Sequence, residues 1–252
     1  MVSRLAVVVI AAGICSIVRA QVGDALVDQT RIAPATRTLS PEERGDIMMA
    51  RKMYREAVET FQSEPAKTAA IYNKIGIAYH QMQQLEPARR NYEQAVKLKR
   101  DYAEALNNIG TVYYARKSYR RAIGYYKRAL RISDSASIYS NLGTAYFGRK
   151  EYKLATDAYQ EALNRDPDVF ERKSNYGTLL QDRNVDERAR FHYYLAKMYA
   201  KTGRNDLAMQ YVRKCLEEGF KERKKLAEDP EFQALRETDE FKELLAAEPR
   251  VL

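Results

Sequence analysis

The chain is poor in the residues that mark metal centres, disulfide frameworks and most active sites. Of its 252 residues two are Cys and two are His, too few for a zinc cluster or a disulfide scaffold. There is no Trp, and 11 Gly and 7 Pro are few for this length, which excludes collagen-like and low-complexity classes. No Gly-rich phosphate loop, Gly-x-Ser-x-Gly elbow or His-Glu-x-x-His pair occurs, and each is the usual local signature of its chemistry. His80 and His192 stand 112 residues apart. The sequence therefore nominates no catalytic residue, no metal site and no cofactor, and an enzyme is not expected. The longest charge-free apolar run, Leu5–Ile17, has 13 residues, short of the roughly 18 or more that a spanning helix needs.

What is present is material for a solvated helical protein. Hydrophobic residues make up 45% and charged residues 31%, the formal net charge is +9, and Tyr is abundant at 19 against 7 Phe. Residues 1–20 differ from the rest. Arg4 precedes the apolar run, and Val18-Arg19-Ala20 offers a small residue before a cleavage point, the pattern of a secretory signal peptide. Cleavage after Ala20 and a periplasmic or secreted location are expected, with an uncleaved anchor as the alternative. Cys15 is not read as a lipoprotein site, because Ile14 stands where a small residue is needed. Cys215 then remains as the one thiol, expected to be an inert core group.

Repetition is the strongest signal. Gly76, Gly110, Gly143 and Gly177 are spaced 34, 33 and 34 residues apart. Ala88, Ala122, Ala155 and Ala189 repeat those spacings, as do Tyr92, Tyr126, Tyr159 and Tyr193, and Ala95, Ala129, Ala162 and Ala196. Each unit reads as two amphipathic helices around a polar turn. Neither helix can bury its apolar face alone, so units must stack.

Residue by residue the units resemble the tetratricopeptide repeat (TPR). The first reads Tyr72, Ile75-Gly76, Tyr79, Ala88, Tyr92, Ala95; the second Leu106, Ile109-Gly110, Tyr113, Ala122, Tyr126, Ala129; the third Tyr139, Leu142-Gly143, Tyr146, Ala155, Tyr159, Ala162, Pro167. Tyr or Leu replaces the family's usual Trp, and only the third unit has its closing Pro. The resemblance implies an all-α superhelical solenoid of antiparallel helix pairs, about five repeats long. The expected organisation is a signal peptide (1–20), a flexible leader (21–39), a degenerate TPR-like repeat (40–68), TPR units at 69–102, 103–135 and 136–169, an irregular repeat and a half (170–220) and a helical cap (221–252).

Three stretches depart from the pattern. In 40–65, Ser40-Pro41-Glu42-Glu43 offers a helix start, and Phe61 falls where Tyr126 does; one long helix is the alternative. In 170–220 two phases overlap on one helix, so three helices are expected near 170–182, 185–201 and 204–217. In the tail, helices beginning near Asp229-Pro230 and at Thr238 would bring Phe232, Leu235, Phe241, Leu244 and Leu245 over the array's end. Its Asp-Pro-Glu-Phe run followed by Leu-Arg resembles the tails of exported bacterial TPR proteins.

The resemblance implies that the first helix of each pair lines a concave groove. Asn73, Asn107, Asn108, Asn141 and Asn175 take groove positions, and Asn108, Asn141 and Asn175 are expected to form a row. A side-chain amide both donates and accepts, as a peptide bond does, so such a row could hold an extended chain; it could equally be common TPR inheritance. Thr111, Thr144 and Thr178 follow in the same copies. Tyr114 and Phe147 are read either as groove-edge rings or as packing between units. Lys74 interrupts the row, and Glu104 and Ser137 argue against a carboxylate clamp. His80 is expected toward the groove and His192 at a helix end.

Basic residues gather at Arg116, Lys117, Arg120, Arg121, Lys127, Arg128 and Arg131, and again at Lys221, Arg223, Lys224 and Lys225. A solvated outer face is the plainest reading; an acidic partner, an anionic membrane and nucleic acid are the others. The expected function is a non-catalytic adaptor holding a protein or peptide in its groove. The alternatives are an accessory subunit of an envelope or secretion assembly that uses its convex face or cap, and a basic-patch binder of an anionic polymer. Nucleic acid is disfavoured, membrane contact is expected only through the N-terminal segment, and the oligomeric state stays open.

Overall fold

The computed structural model describes residues 38–171 and 185–247. The described helices all lie in the unit Leu39–Leu252. In chain order its helices are α1 (Pro41–Ala50), α2 (Tyr54–Gln62), α3 (Ala69–Gln81), α4 (Leu85–Leu98), α5 (Ala103–Ala115), α6 (Tyr119–Leu130), α7 (Ala136–Gly148) and α8 (Tyr152–Arg165). Then come α9 (Val185–Lys201), α10 (Asn205–Glu217), α11 (Arg223–Glu228), a 3-10 turn (Pro230–Phe232), α12 (Gln233–Arg236) and α13 (Asp239–Ala246). Among the described residues there is no strand. From α1 to α8 each helix packs on the next, and the closest pairs are α3–α4, α5–α6, α7–α8 and α9–α10, with α1–α2 as the first pair. This is the all-α solenoid of antiparallel pairs that the repeats predict.

One contact sets the spacing within a pair. A Cβ placed on Gly76 would lie 2.5 Å from the ring of Tyr92; on Gly110, 2.6 Å from Tyr126; on Gly143, 2.6 Å from Tyr159. The glycine lets the second-helix ring lie flat on the first helix's backbone. Gly45 makes the same contact with Phe61, so α1 and α2 repeat the lock, and a single helix across 40–65 is ruled out. Ser40 caps α1 through a complete capping box with Glu43. Ala88, Ala122 and Ala155 are buried beside the locks.

The turn inside each pair recurs as strictly. Lys52, Gln83, Lys117 and Lys150 take φ of 59°, 59°, 56° and 63°, and Gly203 takes 74° at the equivalent place. At the middle turn Lys117 N–H donates to Tyr114 O and Ser118 N–H to Tyr113 O, both at 2.8 Å, which is a Schellman closure. Four of these five left-handed positions thus carry a side chain where glycine is favoured.

The C-terminal part is built differently. Of the helix expected at 170–182, Phe170 and Glu171 lie in a turn, and the remainder falls outside the described residues. In α9 the two expected phases coexist: Ala189 and Tyr193 are buried on one side, Leu195 and Tyr199 on the other. Tyr199 stacks on Tyr211 at 5.4 Å, and both hydroxyls donate to Glu171 Oε1 at 3.0 and 3.1 Å. Tyr193 stacks on Phe220 at 4.7 Å and donates a hydrogen bond to Asp229. Phe232, Leu235 and Phe241 are buried against the array, and Thr238 caps α13. Helix α11, which buries Leu226, has no counterpart in the sequence reading.

Candidate functional site

The first helices α3, α5 and α7 follow one another along one side of the array, in contact as α3–α5 and α5–α7. Among the described residues their Asn side chains link neighbouring helices in staggered pairs. Asn108 Nδ2 donates to Asn73 Oδ1, and Asn141 Nδ2 donates to Asn107 Oδ1, each at 3.0 Å. The donor lies two residues before the conserved-spacing Gly of its own repeat, and the acceptor three residues before the Gly of the preceding one. The link is therefore staggered by one residue and clips each first helix to its predecessor. The same two positions make an ion pair in the first repeat: Lys74 Nζ lies 2.8 Å from Glu42 Oε1, and also 2.6 Å from Asp46 Oδ2. Burial alone would lower the Lys74 pKa, but the hydrogen bonds that its ammonium donates to Asp46 and Glu42 outweigh it and hold it above the ordinary value. Lys74 thus makes an ionic link at the position where the later repeats make an amide link.

Beside the clips lies an open cleft of about 360 Å³, whose polar lining comes from Asn73, Glu104, Asn107, Asn108, Ser133, Ser135 and Ser137, with Ile77, Ala103 and Ile138 at its apolar edge. Asn73 is buried, while Asn107 and Asn108 are half-exposed. Once the clips are made, Asn107 keeps its amide N–H groups and Asn108 its carbonyl oxygen. Among the described residues Glu104 is the one charged group of the lining. The cleft offers donors, acceptors and one carboxylate, which suits a peptide main chain carrying a hydroxyl or basic side chain.

Of the residues expected in the groove, Asn73, Asn107 and Asn108 meet there. Asn141 serves the clip. Thr144 is buried in the core and Thr111 is half-buried, and both serve core phenols: Tyr126 Oη donates to Thr111 Oγ1 at 3.3 Å, and the Tyr159 and Thr144 hydroxyls are 3.2 Å apart. A buried phenol needs a partner, and the residue after the lock glycine supplies it. Phe147 is buried against Phe191 and Tyr194, with centroids at 5.7 and 6.0 Å, and Tyr114 packs on Tyr119 at 5.5 Å. Both are packing residues. Asn175, Gly177 and Thr178 fall outside the described residues. Ser133 and Ser135 were not expected; their signal was the Ser-Asp-Ser-Ala-Ser run at 133–137.

The other candidates are structural. His80 is half-buried, its ring 6.5 Å from Tyr92 and its pKa lowered by burial; it does not line the cleft. His192 is not at a helix end but buried in mid-α9, with Nδ1 2.8 Å from Glu218 Oε2. Cys215 is buried, and burial pushes its thiol pKa far up. Among the described residues no helix is long and apolar enough to cross a membrane.

Known proteins give a consistent picture. A family model described as "Tetratricopeptide repeat" matches residues 42–101, and one described as "Tetratricopeptide repeat protein 21 forth ARM domain" matches 105–246. The chain is 29% identical over 95 residues to "Tetratricopeptide repeat domain-containing protein PYG7, chloroplastic" of Arabidopsis thaliana, covering 35% of this chain and 32% of that protein. It is 33% identical over 70 residues to "Uncharacterized protein ycf37" of Porphyra purpurea, covering 28% of this chain and 40% of that one. It therefore spans 32% to 40% of the length of these curated relatives. Among solved structures it is similar to "MamA 41-end from Desulfovibrio magneticus RS-1", at 18% identity and a TM-score of 0.50, over 70% of this chain and 92% of that one.

Proposed function

The chain belongs to the tetratricopeptide-repeat family, and from that premise we propose that it is a non-catalytic scaffold that holds a protein segment in the cleft between α3, α5 and α7. The observation that carries this reading is the polar lining itself. Asn107 and Asn108 are each anchored to a neighbouring helix at one end and keep hydrogen-bonding capacity at the other. Preformed groups bind an extended chain without first being ordered, which lowers the entropic cost of association. Glu104 adds a preference for a segment with a Lys, Arg or hydroxyl opposite it.

The proposed setting is the cell envelope, reached by the N-terminal segment, with the body freed by cleavage after Ala20. The test is affinity capture from an envelope extract with the full chain, beside an Asn107→Ala/Glu104→Gln variant of unchanged helicity. A partner retained by the first and lost by the second supports the cleft. Equal retention would move the binding surface elsewhere. N-terminal sequencing of the protein recovered from cells tests the cleavage.

A further inference from the structure

The second helices α2, α4, α8 and α10 each mix acid with base: Glu56 and Glu59, Glu86 and Glu93, Asp157 and Glu161, Asp206 and Glu217. On α4 the acids bind the local base directly, Arg89 pairing with both Glu86 and Glu93. Helix α6 has no such relief. Between Glu104 and Asp134 there is no acidic residue, while Arg116, Lys117, Arg120, Arg121, Lys127, Arg128 and Arg131 all fall in that interval. Arg116 pairs with Glu86 at 2.9 Å. Among the described residues no carboxylate lies within ion-pair distance of the other six, although Arg120, Arg121, Lys127, Arg128 and Arg131 are all exposed. Like charges one turn apart repel and weaken a helix, so this face costs the isolated protein stability.

The face is also arranged. The Arg121 guanidinium lies 5.6 Å from the centroid of Tyr113 and that of Arg128 5.0 Å from Tyr125. The two rings are themselves stacked at 5.4 Å. Ring contacts of this kind restrain a guanidinium while leaving its N–H edge for a planar acceptor. The two arginines are seven residues apart on one helix, about 10 Å along its axis. Between them Gly124 has nothing within 4 Å of where its Cβ would be, so a partner's backbone can approach closely. At the N-terminal end Lys117, Ser118, Tyr119, Arg120, Arg121 and Arg149 line an open cleft of about 470 Å³.

We propose that the outward face of α6 and this cleft dock an acidic protein segment, whose carboxylates are gripped by the guanidiniums of Arg121 and Arg128. A carboxylate matches the guanidinium fork in two parallel hydrogen bonds. Single-stranded nucleic acid would need free rings for base stacking, and Tyr113 and Tyr125 are occupied with each other and with the arginines. An interfacial membrane helix would need an exposed apolar face, and the apolar side of α6, Ala122, Ile123, Tyr126 and Ala129, is buried in the core. The proposal is independent of the Asn-lined cleft and survives its failure.

The test is fluorescence anisotropy of a dye-labelled Glu-rich peptide with the full chain at low salt. Its Gln counterpart, a single-stranded oligonucleotide and phosphatidylserine vesicles form the comparison arms. Arg121→Gln/Arg128→Gln should weaken the Glu peptide about tenfold or more, the order expected for two charge-assisted contacts. Arg121→Lys/Arg128→Lys, which keeps the charge and loses the fork, should fall between. Lys201→Gln/Lys224→Gln, the same charge loss on other exposed residues, should leave binding unchanged, and circular dichroism should show every variant folded. Equal weakening by the remote pair would reduce the effect to net charge and overturn the proposal. So would tighter binding of the oligonucleotide or the vesicles by the same arginines.

Discussion

Helices α1 to α8 and helices α9 to α13 solve one problem, covering a two-helix unit's apolar face, in two ways. In the first region one solution is copied: a glycine accepts a ring sixteen residues on, a left-handed turn falls between them, and a polar or ionic clip joins successive first helices. In the second each contact is particular. Tyr193 lies against Phe220 and Asp229, Tyr199 and Tyr211 share Glu171, and Phe232 and Phe241 close the end. A copied contact has a neighbour on either side, whereas a closing contact has one on one side only.

The difference can be broken where the effects are largest. Tyr126→Ala removes a ring that is almost fully buried and should cost about 3–5 kcal/mol, as other buried aromatic truncations do. Hydrogen exchange should show lost protection spreading from α5 and α6 into α4 and α7. Phe232→Ala should cost a similar amount, with lost protection confined to α11–α13 and the adjoining ends of α9 and α10. Equal spreading in both variants would mean that the cap is as cooperative as the repeats.

Smaller changes sharpen it. Gly110→Ala drives a methyl into the Tyr126 ring and should destabilise by about 1–3 kcal/mol, the usual range for overpacking. Denaturant midpoints would measure it, and a neutral result would show that the ring can slide. Asn108→Ala and Lys74→Ala each remove one clip. Both should cost about 1 kcal/mol or less, but only the Lys74 effect should shrink in high salt. Gly124→Ala meets nothing and should stabilise by about 0.5–1 kcal/mol through helix propensity alone.

The regular region was legible because its contacts obey a period. The Gly, Ala and Tyr ladders mark the residues that form the locks, and the family resemblance supplies the pairing of helices. Gly45 escaped because it precedes Gly76 by 31 residues rather than 33 or 34. The clip escaped for a subtler reason. In-register spacing places Asn108 and Asn141 at equivalent positions, but stacked helices are offset, so each amide meets the residue one position earlier in the preceding repeat. Thr111 and Thr144 looked like groove hydroxyls because a period cannot tell which side of a helix has a buried phenol in need of a partner. The cap's apolar residues were visible, but their partners were not, since nothing repeats there to give a register.

The stagger of the amide clip bears on how such a chain can grow. Donor and acceptor positions sit side by side on one first helix, as Asn107 and Asn108 do. A duplicated copy of residues 103–135 would arrive with both halves of its seam, accepting from the helix after it and donating to the helix before it. Lengthening by tandem duplication needs no compensating substitution at that junction, whereas a copy inserted beyond α9 would meet surfaces cut for a single neighbour.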